Sequence, residues 1–311
     1  TDVNEVLKIE EREFKAVMGV SPRAFLHLLP IFESSNAELK QRAEETRTRP
    51  RQRQVGGGRK ATLKSVASKL GFILHYFKRY DTLDDLADRV GCHRSTVSRN
   101  LQSLLAVLLH TLEQINVLPK RQFTSPEELQ AAFAGVEAIV VDATERPCLR
   151  PEDAMRQKAA YSGKKKQHTM KNTVIVNLRK HILFLGYTVL GSRHDYGLFK
   201  TEFPPEQDWF SNFKVWVDLG YLGFADDYQT LELHIPNKKP RKSQANPEPA
   251  LSDQQKAENR VVSHVRIIVE HVIASMKHWT ILTAKFRNRL ADLEDQVILA
   301  AAGLHNFLLK S

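Results

Sequence analysis

The sequence predicts a multidomain α and α/β protein. An N-terminal helical part carries a helix-turn-helix domain, and a mixed β-sheet flanked by helices follows it. Three observations carry this. Apolar residues recur at helical spacing through residue 112. Apolar runs of strand length begin at residue 137. A long two-faced helix over 258–279 follows the last of them. At 311 residues the chain has length enough for two domains and a large core.

The bulk composition narrows the partners. A net charge of +10 and a pI near 9.5 imply a polyanionic partner, nucleic acid first and an anionic membrane second. No run of about 18 apolar residues is present, so no spanning helix is expected. Cys92 and Cys148 alone exclude a disulfide framework or a four-thiolate zinc site. With a polar, acidic start and no signal peptide, a reducing cytosol is the expected compartment.

Residues 1–46 form a helical lead-in suited to a scaffold or dimerisation piece, with Pro30 expected to stop its second helix. Residues 47–60, RTRPRQRQVGGGRK, lack apolar period and form a basic tether. Arginines on such an arm, with Arg59 and Lys60 at its end, suit a DNA minor groove as well as plain solvent.

Residues 61–112 predict a compact helical DNA-binding domain. Leu63, Val66, Leu70, Ile73 and Phe77 mark one helix. Thr82 and Asp85 pair as an N-cap for a short helix to about Arg89, and Gly91 makes the turn. Ala87 suits a close helix crossing and Val97 a buried site on the second helix, the pattern of a helix-turn-helix. That second helix exposes His93, Arg94, Ser95, Thr96, Ser98 and Arg99, donors and acceptors for base edges and phosphates. An ordinary helical hairpin with a basic face is the plainer alternative.

A connector, 113–136, holds a short helix opened by Ser125-Pro126-Glu127-Glu128. Strands are then expected at 138–142 (AIVVD), 173–177, 182–190, 214–218 (KVWVD) and 231–235, with a helix near 195–203. A basic, Pro-rich loop, 236–249, leads to the long helix. There Val261, Val265, Ile268, Val272 and Met276 form the expected buried stripe. Asn259, Arg266, Glu270 and Lys277 fall on the opposite side. Alone, that charged face reads as a surface salt-bridge ladder. A final amphipathic helix covers 290–309.

Two strands ending in acid change that reading. Asp142 and Asp218 at the ends of neighbouring strands, about 4.8 Å apart, repel unless a cation lies between them. Hard ions such as Mg²⁺ or Mn²⁺ take such oxygen ligands. Glu270, on the helix that follows the sheet, is the natural third acid for a site of two ions acting on a phosphodiester. His264, His271 and His278 recur every seven residues, but about 10.5 Å separates them along a helix, too far to share an ion. They are read as DNA-facing or solvated. The lysines of Ser162–Lys166 lack nucleotide-loop spacing, and Lys164 and Lys165 suit a DNA backbone.

VDATERP (141–147), GSRHDYGLF (191–199), VDLGYLG (217–223) and the spacing R-x₃-E-x₆-K of Arg266, Glu270 and Lys277 together resemble the IS5/IS4-type DDE transposases, close to the Harbinger-like branch. Each motif alone is weak; the combination is specific. Two positions depart from the pattern: Ser263 stands where relatives carry Tyr, and Ala143 where many carry Gly. The resemblance implies a ribonuclease-H-like catalytic domain over 137–311, with Asp142, Asp218 and Glu270 as catalytic metal ligands for two Mg²⁺ or Mn²⁺ ions. Arg266 and Lys277 would hold phosphates of the transposon end, and Asp195 is an accessory candidate or a helix cap. It further implies double-stranded DNA partners, namely terminal inverted repeats and target, a homodimer or larger assembly, no membrane, and a prokaryotic, nucleoid-associated cytoplasmic location. The alternatives are a domesticated DNA-binding regulator without catalysis and a metal-dependent nuclease not tied to transposon ends. Excision of a donor element separates the first; cleavage without terminal repeats and without strand transfer marks the second.

Overall fold

The computed structural model describes residues 9–48, 61–242, 244, 246–288, 290 and 292–310. Most of the basic arm, Arg59 and Lys60 included, lies outside the described residues. The chain divides into two compact units. One takes the chain up to Leu118 together with Lys277–Ala284 and the segment from Asn288 onward. The other takes Pro119–Met276 and Lys285–Arg287. The final helix of the expected catalytic segment, 137–311, thus groups with the N-terminal helices. Among the described residues no helix is long and apolar enough to cross a membrane.

The first unit is helical. It contains α1 (Glu11–Met18), α2 (Pro22–Glu45), α3 (Val66–Arg79), α4 (Leu83–Val90) and α5 (Arg94–Gln114). Pro30 does not stop α2, which runs through it. Phe25, Leu28 and Phe32 on either side of Pro30 are buried, and their burial outweighs the roughly 3 kcal/mol lost at an internal proline. At α4 the expected cap is a full capping box: Thr82 Oγ1 accepts from Asp85 N at 3.1 Å, and Asp85 accepts from Thr82 N at 3.2 Å. Gly91 closes α4 in the left-handed region, φ 65°. Ala87 and Val97 are buried where α4 packs on α5.

The second unit is built on a sheet. Its elements are α6 (Pro126–Ala132), β1 (Ala138–Pro147), α7 (Ala154–Ala160), β2 (Tyr161–Ser162), β3 (Gln167–Asn177), β4 (Ile182–Leu185), β5 (Val189–Leu190), α8 (Asp195–Glu202), β6 (Lys214–Trp216), α9 (Phe224–Asp227), β7 (Glu232–His234) and α10 (Asp253–Met276). The sheet order is β2-β3-β1-β6-β7, with β4 and β5 also paired to β3. The β1–β3 pair is antiparallel from Ile139↔Asn177 to Pro147↔Thr169. The β1–β6 and β6–β7 pairs are parallel. The sheet is therefore mixed, as expected.

Several strand expectations change: β6 stops at Trp216, so Asp218 lies two residues past the strand rather than at its end, and β7 covers only Glu232–His234. β1 and β3 run longer than 138–142 and 173–177, because they pair with each other beyond the core. The expected strand 182–190 is broken at Gly186–Thr188. There the Gly186 carbonyl accepts from the Asn172 side chain at 2.9 Å, outside the strand ladder.

One face of the sheet carries Ile139, Val141, Ile175, Val215 and Val217 against an aromatic core that includes Phe199, Phe203, Phe210 and Phe224. The alternating residues Val140 and Asp142 point to the other face, and α10 packs against β1 and β6. The α10 stripe is rotated from the expected one. Val262, Val269, Val272 and Met276 are buried, whereas Val261 is exposed. Adjacent valines at 261 and 262 leave the roll of the helix open in the sequence, and the charge partner of Arg266 decides it. After α10 come α11 (Thr280–Thr283) and α12 (Leu293–Leu308), both in the helical unit; α12 packs on α5 and α11 on α3.

Candidate carboxylate site

The parallel register of β1 and β6 sets the two aspartates. Val140 pairs with Trp216, and Asp142 and Asp218 each follow two residues on. Both carboxylates are held locally by one oxygen. Asp142 Oδ1 accepts from Ala143 N at 2.8 Å, and Asp218 Oδ1 accepts from Gly220 N at 2.7 Å. A Cβ at Gly220 would meet Asp218 Oδ1 at 2.8 Å, so glycine permits this close approach. The other oxygens converge. Arg266 Nη2 lies 3.6 Å from Asp142 Oδ2 and 3.9 Å from Asp218 Oδ2.

Burial is the main reason that the Asp142 carboxyl is pushed up to about 6. Asp218 and Asp195 add to the rise, while the Ala143 amide and Arg266 oppose it. Two carboxylates and one guanidinium leave a net negative charge. Convergent carboxylate oxygens are hard donors of the kind Mg²⁺ and Mn²⁺ take, so the pair fits a divalent ion where the guanidinium now provides the positive charge.

Arg266 was expected on the face away from the core. It is instead half-buried over the two aspartates, with its Nε buried and making no hydrogen bond among the described residues. The attraction of two carboxylates offsets the burial of its charge. Glu270 is one turn further along α10 and exposed. Among the described residues no three His, Cys, Asp or Glu side chains converge closely enough to hold a metal ion. Lys277 is the first residue after α10 and belongs to the helical unit. His264 and His271 are exposed. His278, expected DNA-facing or solvated, is half-buried, its ring nitrogen 3.0 Å from the Gly19 carbonyl and its ring against Trp279, because the chain has left α10.

Asp195 does not cap α8. His194 is the N-cap, and Asp195 stands in the first turn, where its Oδ1 is 2.6 Å from Lys171 Nζ. Lys171 is 3.1 Å from Glu145 Oε1 as well. Sequence reasoning missed Lys171 and Glu145. The available signal was a lone lysine just before the apolar run of β3, cross-strand from an acid of the first motif. It also missed Tyr221, which is fully buried with its hydroxyl making no hydrogen bond among the described residues. Burial foremost, with the nearby carboxylates, holds the Tyr221 phenol in its neutral form.

The remaining candidates fall on other surfaces. His93 is the N-cap of α5, its Nδ1 accepting from Ser95 N at 3.2 Å, so one ring nitrogen is spent on the helix start. Arg94, Ser95 and Arg99 are exposed on its first turns and Thr96 is half-buried. Arg94 lies 3.5 Å from Asp84. Lys164 and Lys165 are exposed in the turn between β2 and β3.

A profile of DDE superfamily endonucleases matches residues 141–306. A protein described as "Probable transposase for insertion sequence element IS702", from Microchaete diplosiphon, is 27% identical over 310 residues, spanning 98% of this chain and 97% of that protein. No solved structure matches significantly. The matched segment covers more than half of the chain and contains both converging aspartates, their arginine and the helix that carries it; the chain belongs to the DDE superfamily of endonucleases.

Proposed function

We propose that this endonuclease is a DNA transposase that binds terminal inverted repeats and cuts and rejoins strands with divalent metal. One observation carries the site assignment: the free oxygens of Asp142 and Asp218 converge on a single positive charge, 3.6 and 3.9 Å away. The full-length similarity to a protein described as a transposase supports the broader reading.

Asp142 and Asp218 hold the ion, and Glu270, one turn beyond Arg266, brings the third carboxylate. A divalent pair, Mg²⁺ or Mn²⁺, supplies Lewis-acid polarisation of the scissile phosphate and activation of water or a 3′-hydroxyl. Arg266 passes its guanidinium from the carboxylates to phosphate oxygens, where its planar fork allows two parallel hydrogen bonds. Lys277 adds a point charge to the same strand. The sheet order, antiparallel on one side of β1 and parallel on the other, supports the ribonuclease-H-like assignment.

The turn at Gly91 between α4 and α5 supports the helix-turn-helix reading over 61–112. His93, Arg94, Ser95, Thr96 and Arg99 then meet the major groove. Lys164, Lys165 and the Arg59–Lys60 arm follow the backbone. Two ends must be brought together, so a dimer or larger assembly forms on DNA. The test is strand cleavage and transfer on terminal-repeat DNA with Mg²⁺. Asp142→Asn, Asp218→Asn and Glu270→Gln each abolish both steps; activity that survives Asp218→Asn or Glu270→Gln sinks the proposal.

A further inference from the structure

The loop that joins β7 to α10 sets four cations in five positions: Lys238, Lys239, Arg241 and Lys242. All four are exposed, and none pairs with a carboxylate among the described residues. Surface lysines on the flanking elements do pair. Lys214 lies 3.1 Å from Glu232, and Lys256 lies 2.9 Å from Asp253. Pro236 and Pro240 disfavour helix at the residue before each, and the run has no regular secondary structure. Extended at about 3.1 Å per residue, such a run spans about 12 Å, the axial rise of about three to four nucleotides. Like charges so close repel one another, and a row of external anions relieves them.

The root of this run is fixed. Asn259 on α10 grips the backbone of Asn237 at two points: its Oδ1 accepts from Asn237 N at 2.6 Å, and its Nδ2 donates to Asn237 O at 3.0 Å. The Asn237 side chain donates to Glu258 Oε2 at 2.7 Å. β7 runs parallel to β6, so the chain leaves it at the end of the sheet where Asp218 follows β6; there the His234 carbonyl accepts from Val217 N at 3.1 Å. On α10, Asn259, Arg266 and Glu270 fall within about 40° of one another, and about 10.5 Å of helix separates Asn259 from Arg266. The cations therefore start from a set place on the face of α10 that carries Arg266.

We propose that Lys238, Lys239, Arg241 and Lys242 form a phosphate-binding strap for the DNA backbone, and that Asn259 is the positioning residue that roots it beside Arg266 and Glu270. The inference rests on the reading of DNA as the substrate, not on the assignment of the ion.

The experiment is binding of the full chain to a DNA duplex of arbitrary sequence, without divalent metal, over a range of salt. Replacing all four cations with Gln lowers the slope of log affinity against log salt by about 3, and affinity at about 0.1 M salt at least tenfold. Asn259→Ala keeps the four charges and loses their preorganisation, so affinity falls severalfold while the slope stays within about 1 of the wild type. Added to the four-Gln variant, Asn259→Ala has no further effect on affinity. Should Asn259→Ala fail to fold, Asn259→Ser takes its place. An unchanged slope in the four-Gln variant overturns the strap. Equal weakening by Asn259→Ala with and without the four cations overturns the positioning role, since a general support of the fold acts in both. Loss of binding to vesicles of mixed neutral and anionic lipid in the four-Gln variant, with its DNA slope unchanged, assigns the loop to a membrane surface and likewise overturns the proposal. Failure of the wild type to bind duplex DNA removes the underlying reading instead, whatever the variants do.

Discussion

Glu202 offers a direct test of the electrostatics of the sheet unit. It ends α8, and its carboxylate lies against Gly186, where a Cβ would meet Oε1 at 1.8 Å. Its Oε2 is buried and makes no hydrogen bond among the described residues. Burial pushes this carboxyl up to about 7 from an ordinary 4.5, although Thr173 and the Arg121 charge pull the other way. The sign follows from proton binding. The folded state holds the proton more tightly than the unfolded chain, so stability is highest below about pH 4.5 for this group. It falls as pH rises toward about 7, and above that the full cost of a buried charge is present. At about 1.4 kcal/mol per tenfold change in proton affinity, the rise amounts to about 3 kcal/mol.

Glu202→Gln keeps the shape and removes the charge. The variant is expected to be about 3 kcal/mol more stable than the wild type at pH 8.5 and close to it at pH 4.5. Urea denaturation followed by tryptophan fluorescence measures this, with Trp209 lining the same cavity as Glu202. A difference independent of pH, or a variant less stable at pH 8.5, would refute the argument.

Three further outcomes are expected. Gly19→Ala destabilises the helical unit by about 2–5 kcal/mol in thermal or urea unfolding, because φ is +76° there and a Cβ would meet the Trp279 ring at 2.2 Å. Thr82→Ala removes the reciprocal cap of α4 and costs about 1 kcal/mol, read by the same unfolding assay. Arg99→Ala lowers affinity for terminal-repeat DNA and, if the contact is to phosphate, reduces the slope of log affinity against log salt by about 1 in a binding titration.

The legible parts of the sequence were those set by local chemistry. Thr82, Asp85, Gly91 and Val97 act within a few residues of each other, and their roles followed from spacing. The apolar runs before Asp142 and Asp218 were legible for a similar reason, since a strand buried on both faces must be apolar and the acid after the run stands out; neither acid ends its strand, because β1 continues through Asp142 to Pro147 and β6 stops at Trp216. Parallel register then aligned Asp142 with Asp218 at no further cost in information. Pro30 misled because a local rule was applied where buried neighbours decide. Long-range pairs stayed hidden. Lys171 and Asp195 are 24 positions apart and meet only once β5 pairs back onto β3 and α8 follows it.

Arg266 shows why the helix could not be read alone. With valines at 261, 262, 265, 269 and 272, α10 offers two apolar stripes that differ by a small roll, and apolar burial barely separates them. The sheet separates them. One roll leaves Asp142 and Asp218 facing each other without a cation; the other sets a guanidinium between their free oxygens. Repulsion between two half-buried carboxylates is worth several kcal/mol at an effective dielectric near 20, more than the difference between neighbouring valines. The helix is therefore oriented by the acids it faces. An ion at the same point would do the same work of neutralisation. Under the proposed function, that equivalence would let Arg266 leave for a phosphate without loss of the fold that carries Glu270.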